Sequence, residues 1–314
     1  MLEHSTQWDF DIFAFNDATN GHPLLFLSYY MIKKLNLLEA AKVEEIVLLQ
    51  YLDEVELTYQ TNPYHNAIHA ADMTQAMWVF LSDERIRAAC SPLELFAIII
   101  ACCIHDVDHP GVTNAFIVKS RHPLALLYSD TSVLEFHHAA TGITIAERRK
   151  LFQPLGSQYD DLRKLIVELV MATDMAKHFE FLNKFKSQML AAQGVDSNSE
   201  SLRLDKPETK LLTLMTAMKC ADLNNPTRPR HVSFEWTQRI MEEFYQQGDQ
   251  ERALHLPISK FMDRNSQADE NVAKCQTSFI DVIVGPLYQA WSTYLKSPVT
   301  HVIQANIHAN RSFW

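Results

Sequence analysis

The sequence predicts an all-α protein, and three observations carry that prediction. Glycine is scarce, 7 residues in 314. Apolar residues recur at spacings of three and four through most segments, the period of a helix face. Prolines such as Pro23, Pro63 and Pro123 stand where such segments begin, a position at which a helix tolerates them. With 47% hydrophobic and 21% charged residues the chain can bury a large core as one compact unit.

In chain order, residues 1–22 hold Trp8, Phe10, Phe13 and Phe15 among polar residues and read as an aromatic N-terminal arm. Residues 23–314 read as a single helical domain. Pro23 opens a helix to about Leu37, and Glu39 to Gln60 reads as one amphipathic helix with Val43, Ile46, Val47 and Leu49 facing inward. Pro63 is placed to begin the next. Leu95 to Ile104 is an unbroken apolar run, Asn114 can cap a short helix, and Pro123 and Thr131 open two more. Ser157 to Thr173 carries Leu162, Leu165, Ile166, Leu169 and Val170 on one face, with acidic residues in its first turn as the helix dipole favours. Gln193 to Lys206 reads as a surface loop. Glu208 to Ala221 and Phe234 to Gln247 are helical, the latter ended by Gly248, and Cys275 to Leu295 is a last long segment interrupted at Gly285-Pro286.

The formal charge of −10 and the lack of a basic run count against nucleic acid as a partner. A small anionic substrate would then need a local positive centre, and metal ions are the obvious candidates. The five cysteines lack Cys-x-x-Cys spacing and read as reduced thiols. No basic and apolar signal region opens the chain, and Leu95 to Ile104 is far shorter than the ~20 residues of a membrane-spanning helix. The expected location is cytoplasmic, with regulatory or anchoring parts outside this sequence.

The chemistry concentrates where apolar helices end. Leu95 to Ile104 runs into His105-Asp106-Val107-Asp108-His109-Pro110-Gly111, four ionisable side chains in five positions. Buried imidazoles and carboxylates must be paired, hydrogen-bonded or metal-bound; a polar helix cap stopped by Pro-Gly is the competing reading. His65 and His69 lie four apart and share a helix face. Thr131 to His138 brings Glu135 with two further imidazoles, and Thr173-Asp174 and Asp222 again place polar groups at apolar ends. His69, His105, Asp106 and Asp222 make a set that suits zinc plus a harder, oxygen-bound cation, with Asp106 the choice for a bridging carboxylate. Two such ions generate hydroxide near neutral pH and clamp the oxygens of an in-line displacement, which is hydrolysis of a phosphate ester.

Three segments then make a specific resemblance. Tyr64-His65-Asn66-x-x-His69-Ala70-Ala71-Asp72, His105-Asp106-Val107-Asp108-His109-Pro110-Gly111 and Lys219-Cys220-Ala221-Asp222 resemble the signature of the class I cyclic nucleotide phosphodiesterases, a branch of the HD metal-hydrolase superfamily. The likeness extends over nearly the whole chain. It implies a compact catalytic domain of about sixteen helices, with zinc and magnesium (or manganese) at the floor of one pocket. His69, His105, Asp106 and Asp222 would ligate zinc, Asp106 would also bind magnesium, and His109, Glu135 and Thr173 would hold magnesium through its waters. His65 would be the general acid that protonates the leaving 3′-oxygen, with Glu243 orienting its imidazole and keeping it protonated.

The same resemblance implies a base pocket. Gln276 matches the glutamine whose amide reads the purine edge, Phe279 and Ile240 the apolar clamp on its two faces, and Asn225 a position that contacts adenine in cAMP-preferring members. Tyr64 and Phe244 line the same pocket. Trp236-Thr237-x-Arg239-Ile240-Met241-Glu242-Glu243-Phe244 and Asp222-Leu223-x-Asn225-Pro226 look most like the cAMP-specific families, four above all and seven. In family four a tyrosine three residues before the tryptophan restrains the glutamine; here that position is Ser233. An unrestrained amide can present donor or acceptor, so the expectation is cAMP hydrolysis extending to cGMP. The alternatives are another nucleotide phosphohydrolase of the superfamily and a non-catalytic nucleotide-binding regulatory domain. The first lacks a Lys/Arg cluster for a triphosphate, and the second is opposed by the presence of His65 and every expected ligand.

Overall fold

The computed structural model describes residues 1–195, 204–265 and 268–314. Among them there is no strand, and the α-helices are α1 (Ile12–Ala18), α2 (Pro23–Lys34), α3 (Leu37–Ala41), α4 (Glu45–Thr58), α5 (Ala67–Leu81), α6 (Glu84–Ala88), α7 (Pro92–Ile104), α8 (Asn114–Lys119), α9 (Pro123–Leu127), α10 (Val133–Arg148), α11 (Tyr159–Met171), α12 (His178–Val195), α13 (Pro207–Asp222), α14 (Arg230–Ala253), α15 (Ala268–Phe279), α16 (Gly285–Leu295) and α17 (Pro298–Phe313). A π-helical turn, Ile280–Val284, joins α15 to α16, so the count is seventeen, or sixteen if that rod is taken as one.

Two helices buried on nearly every side form the centre. In α7, Ser91 and Glu94 make a reciprocal capping box, Pro92 fills the first turn, and every residue from Leu95 to Ile104 is buried. In α5, all residues from His69 to Leu81 are buried. Around this pair α11 and α3 pack on α7, while α2 and α13 pack on α5. The outer helices are one-sided: α11 buries Leu162, Ile166, Leu169 and Val170 and keeps Asp160 and Asp161 in its first turn. The ends of α7 and α13 and the start of α5 therefore meet deep in the molecule.

The N-terminal segment carries a helix of its own, α1, capped by Asp11. Trp8, Phe10 and Phe15 are buried in the main core, and the Trp8 indole donates to the Thr227 carbonyl at 2.9 Å.

Several boundaries differ from expectation. The single helix expected over 39–60 is broken where Lys42 takes a left-handed conformation (φ 53°). The break rephases α4, which buries Leu48, Tyr51, Leu52 and Val55, leaving Ile46 56% exposed and Val47 and Leu49 half-buried. Pro63 starts no helix; α5 begins at Ala67 because the Asn66 side chain accepts from the Ile68 and His69 amides, which leaves His65 in the lead-in. Thr113 rather than Asn114 caps α8, and α10 starts at Val133, after Ser132. The helix α12 extends to Val195, three residues into the expected loop, and 196–203 of that loop lie outside the described residues. Gly248 does not end α14. A Cβ there would stand 1.8 Å from the Met262 carbonyl oxygen, so glycine serves the close approach of a neighbouring segment. The interruption expected at Gly285-Pro286 is the π-helical turn just before it. Helix α17, unforeseen, follows Ser297, has Pro298 in its first turn and buries Thr300, Ile303, Ile307 and Asn310, a helical spacing that the sequence does display.

Candidate metal centre and active site

His69 sits in the first turn of α5, His105 caps the end of α7 with Asp106 next to it, and Asp222 is the last residue of α13. Three chain segments far apart in sequence thus deliver two imidazoles and two carboxylates to one point. His69 Nε2 lies 3.2 Å from Asp222 Oδ1 and 3.4 Å from Asp106 Oδ2; His105 Nε2 lies 3.2 Å from Asp106 Oδ2, 3.4 Å from Asp222 Oδ1 and 3.3 Å from His69 Nε2. Bonds of about 2.0–2.1 Å to a central zinc would set tetrahedral edges of roughly 3.3–3.4 Å, so these spacings fit the ion. The tautomer agrees. His105 Nδ1–H donates to the Cys102 carbonyl at 3.0 Å, leaving the Nε2 lone pair on the cluster. Electrostatics point the same way: although burial opposes its charged form, His105 is pushed up to about 10 by Asp106 and Asp222. Asp106, despite burial, is held well below the usual carboxylate range by His105 and His69. The four residues therefore crowd negative charge that a cation relieves.

Asp106 also turns its other oxygen, Oδ1, toward His138 Nε2 at 3.6 Å, and ligand atoms of Asp106, His109 and His138 lie within 4.8 Å of one another. His138 was missed as a site residue. It was visible as one of two adjacent imidazoles in α10, but its role depends on the 2.7 Å bond from its Nδ1 to the Val107 carbonyl, which leaves Nε2 unprotonated and facing the site. Burial lowers its pKa to about 4. Glu135 and Thr173 line the same cavity as Asp106 and His109. Asn114 Nδ2 donates to both Glu135 oxygens at 3.1 and 3.0 Å, and burial with nearby Asp174 pushes this carboxyl up to about 7. The Thr173 turn is held by buried Lys219, whose ammonium donates to the carbonyls of Ala172, Thr173 and Asp174 at 3.0, 3.4 and 3.1 Å.

His65 stands at the rim of this cluster, its ring stacked on His109 with centroids 3.9 Å apart. Its Nδ1 is hydrogen-bonded to Glu243 Oε1, and Glu243 Oε2 accepts the Tyr64 and His65 amides at 3.0 Å each. Burial disfavours imidazolium, but the Glu243 charge and hydrogen bond outweigh it and raise His65 to about 9. Nδ1 being engaged, Nε2 is the atom left for the cavity. Both residues line a space of about 420 Å³ whose described lining contains no Lys or Arg. Asn225, Ile240, Phe244, Gln276, Phe279 and Tyr64 line it too, so every predicted site residue reaches this cavity except His69 and His105, which are buried at the metal cluster. The Gln276 amide makes no hydrogen bond with a described residue, and Ser233 is a buried residue in the first turn of α14.

The sequence model of the family described as "3'5'-cyclic nucleotide phosphodiesterase" matches residues 64–305. Among curated proteins the chain is 37% identical over its whole length to the human "High affinity cAMP-specific and IBMX-insensitive 3',5'-cyclic phosphodiesterase 8A" and 37% identical, again over its whole length, to the Rattus norvegicus "3',5'-cyclic-AMP phosphodiesterase 4C". It spans 39% and 58% of the lengths of those two relatives. Among solved structures it superimposes with a TM-score of 0.87 on the phosphodiesterase domain of the RhoPDE fusion protein from the choanoflagellate Salpingoeca rosetta, at 30% identity, covering 99% of this chain and 94% of that one. With more than half of its length matched by the family model and its fold shared at this level, the chain belongs to the 3′5′-cyclic nucleotide phosphodiesterase family.

Proposed function

We propose that this chain hydrolyses 3′,5′-cyclic AMP to the 5′-monophosphate and, because the Gln276 amide is free to turn, accepts cyclic GMP as well. The observation that carries this reading is one cavity whose lining joins Asp106 and Asp222 of the zinc-spaced cluster and the His65–Glu243 pair with Phe279, Ile240 and two amides. The absence of Lys and Arg from the described lining leaves cations bound at the cluster as the positive centre for a phosphodiester and disfavours a triphosphate. The relatives named above, both cAMP phosphodiesterases, support adenine.

In this reading His69, His105, Asp106 and Asp222 would hold zinc, and Asp106 together with His109, Glu135 and Thr173 would hold a magnesium or manganese ion. Bound there, the two ions supply Lewis acidity at the phosphoryl oxygens and lower the pKa of water. The protein's own groups do the rest. Phe279 and Ile240 sandwich the purine and exclude water, Phe244 and Tyr64 wall the slot, and Gln276 and Asn225 meet the base edge. Glu243 fixes His65 with its Nε2 toward the cavity. As the oxygen of water bonds to phosphorus and the bond from phosphorus to the 3′-oxygen breaks, His65 Nε2 passes its proton to the 3′-oxygen, and Glu243 stabilises the charged imidazole until then. The arm, 1–22, and the domain, 23–314, form the catalytic part of a longer protein with regulatory regions, in keeping with the fraction of its relatives that the chain spans. No helix among the described residues is long and apolar enough to cross a membrane.

The test is hydrolysis of cAMP and cGMP side by side by metal-loaded and chelated protein. Metal-dependent release of 5′-AMP is the expected result. A zinc-loaded protein that turns over neither nucleotide would remove the proposal.

A further inference from the structure

Asn225 and Gln276 both line the cavity with side-chain amides, yet their surroundings differ. Gln276 has no hydrogen-bond partner among the described residues, whereas each end of the Asn225 amide is engaged. Its Nδ2 faces Asp72 Oδ2 at 3.4 Å and Asn224 Oδ1 at 3.3 Å, and its Oδ1 is hydrogen-bonded to the Tyr64 hydroxyl.

The direction of each bond follows from what its partner can do. Asp72 is fully buried and paired with Arg228, which donates through Nη2 to Asp72 Oδ1 at 2.6 Å and to the Asp72 carbonyl at 3.1 Å. A carboxylate so paired is acceptor only. The Asn224 amide is oriented as well: its Nδ2 donates to the Ala221 carbonyl at 2.7 Å and its Oδ1 accepts from Arg228 Nε at 3.2 Å. Arg228 is itself fixed by the Trp8 carbonyl, 3.1 Å from Nη1, and by the Trp8 ring, 4.7 Å away. Two acceptors thus face Asn225 Nδ2. Turning the amide over would set its oxygen against a carboxylate and a second amide oxygen. At the other end the Asn225 oxygen faces the Tyr64 hydroxyl, which must therefore donate.

We propose that Asp72, held by Arg228, is a positioning residue for purine selection. With Asn224 it occupies both N–H groups of Asn225, so Asn225 offers the base only the remaining lone pair of its carbonyl oxygen. Such an oxygen accepts from the six-amino group of adenine and opposes the six-oxo group of guanine or hypoxanthine. Selection is then set by a linked set of bonds in which Tyr64 donates to Asn225 and both Asn225 and Arg228 donate to Asp72, while Gln276, without a partner among the described residues, accommodates either base. This proposal rests on the reading that Asn225 lies against the base.

The experiment uses the zinc- and magnesium-loaded protein and the ratio of kcat/KM for cyclic AMP over cyclic IMP, which carries the six-oxo group without a two-amino group. The ratio is independent of the fraction of protein that is active, so a merely structural defect leaves it unchanged. Asp72→Asn, which lets the amide turn, is expected to lower the ratio tenfold or more, chiefly by raising cyclic IMP turnover. Tyr64→Phe releases the other end of the amide with no buried charge left unpaired; it is expected to lower the ratio at least threefold and decides the matter if Asp72→Asn fails to fold. Asn225→Ala separates the two readings. If it leaves the ratio unchanged, Asn225 does not touch the base. If it collapses the ratio while the folded Asp72→Asn and Tyr64→Phe proteins keep the parental value, Asn225 reads the base without being positioned by these bonds, and the proposal is overturned.

Discussion

Glu243 reaches His65 from the middle of α14 and binds its side chain and backbone together, so loss of its charge acts on one imidazole at a defined atom. The folded-state pKa of His65, about 9, lies above the ordinary 6.5 because Glu243 outweighs burial. A raised imidazole pKa contributes stability that is complete below about pH 6.5 and is lost as pH rises through about 9. The proton needed by a leaving group is lost over the same range. In Glu243→Gln the alkaline limb of kcat/KM is therefore expected to move toward lower pH, with kcat at neutral pH down about tenfold to a hundredfold; an unmoved limb would mean that another group supplies the proton. The cluster residues were legible in the sequence because they stand at or near the ends of apolar helices, where an ionisable side chain demands a partner, whereas His65 was picked out by its spacing of four from His69 although it lies ahead of α5. Glu243 was reached only through the resemblance, since a carboxylate 178 residues away on a helix of mixed polarity has no local signature. Nor did any local pattern show that Asp72 and Arg228 meet.

At the scale of elements, the site depends on where helices cross. A Cβ at Gly142 of α10 would meet three side-chain atoms of Ile104 at 2.6–2.7 Å. Ile104 is the last residue of α7 and directly precedes His105. The glycine therefore lets the helix that carries Glu135 and His138 lie close on the one that delivers His105 and Asp106. Gly142→Ala is expected to destabilise the fold by about 1–3 kcal/mol through overpacking, despite the better helix propensity of alanine. It should also weaken zinc retention at fixed chelator concentration; an alanine variant as stable as its parent would show that α10 and α7 can separate freely. The sequence conveyed the type of most elements and fewer of their joints. Gly248 reads locally as a helix end, but the approach of Met262 gives it a packing role inside α14. Lys42, an ordinary helix former, breaks a helix through its left-handed backbone, and periodicity alone cannot reveal such a break.

Across the whole molecule, the four residues of the His/Asp cluster do what few single contacts do, joining the start of α5, the end of α7 and the end of α13 over separations of up to 153 residues. The unfolded chain does not bring these residues together, so an ion held by all four stabilises the native state in proportion to its occupancy. Bound at a hundred times its dissociation constant, it contributes about 2.7 kcal/mol. Without the ion, two carboxylates and two imidazoles remain packed at 3.2–3.4 Å and take up protons, His105 being raised to about 10, and these protons replace only part of what an ion held by all four residues provides. Chelation at neutral pH is therefore expected to lower Tm by several degrees, and stoichiometric zinc to restore it. Asp222→Asn removes one ligand charge and should leave a protein whose Tm responds little to zinc. The calorimetric scan also separates cluster from surface: a zinc-dependent rise equal in parent and Asp222→Asn would place the ion elsewhere, and the hydrolytic reading would lose its positive centre.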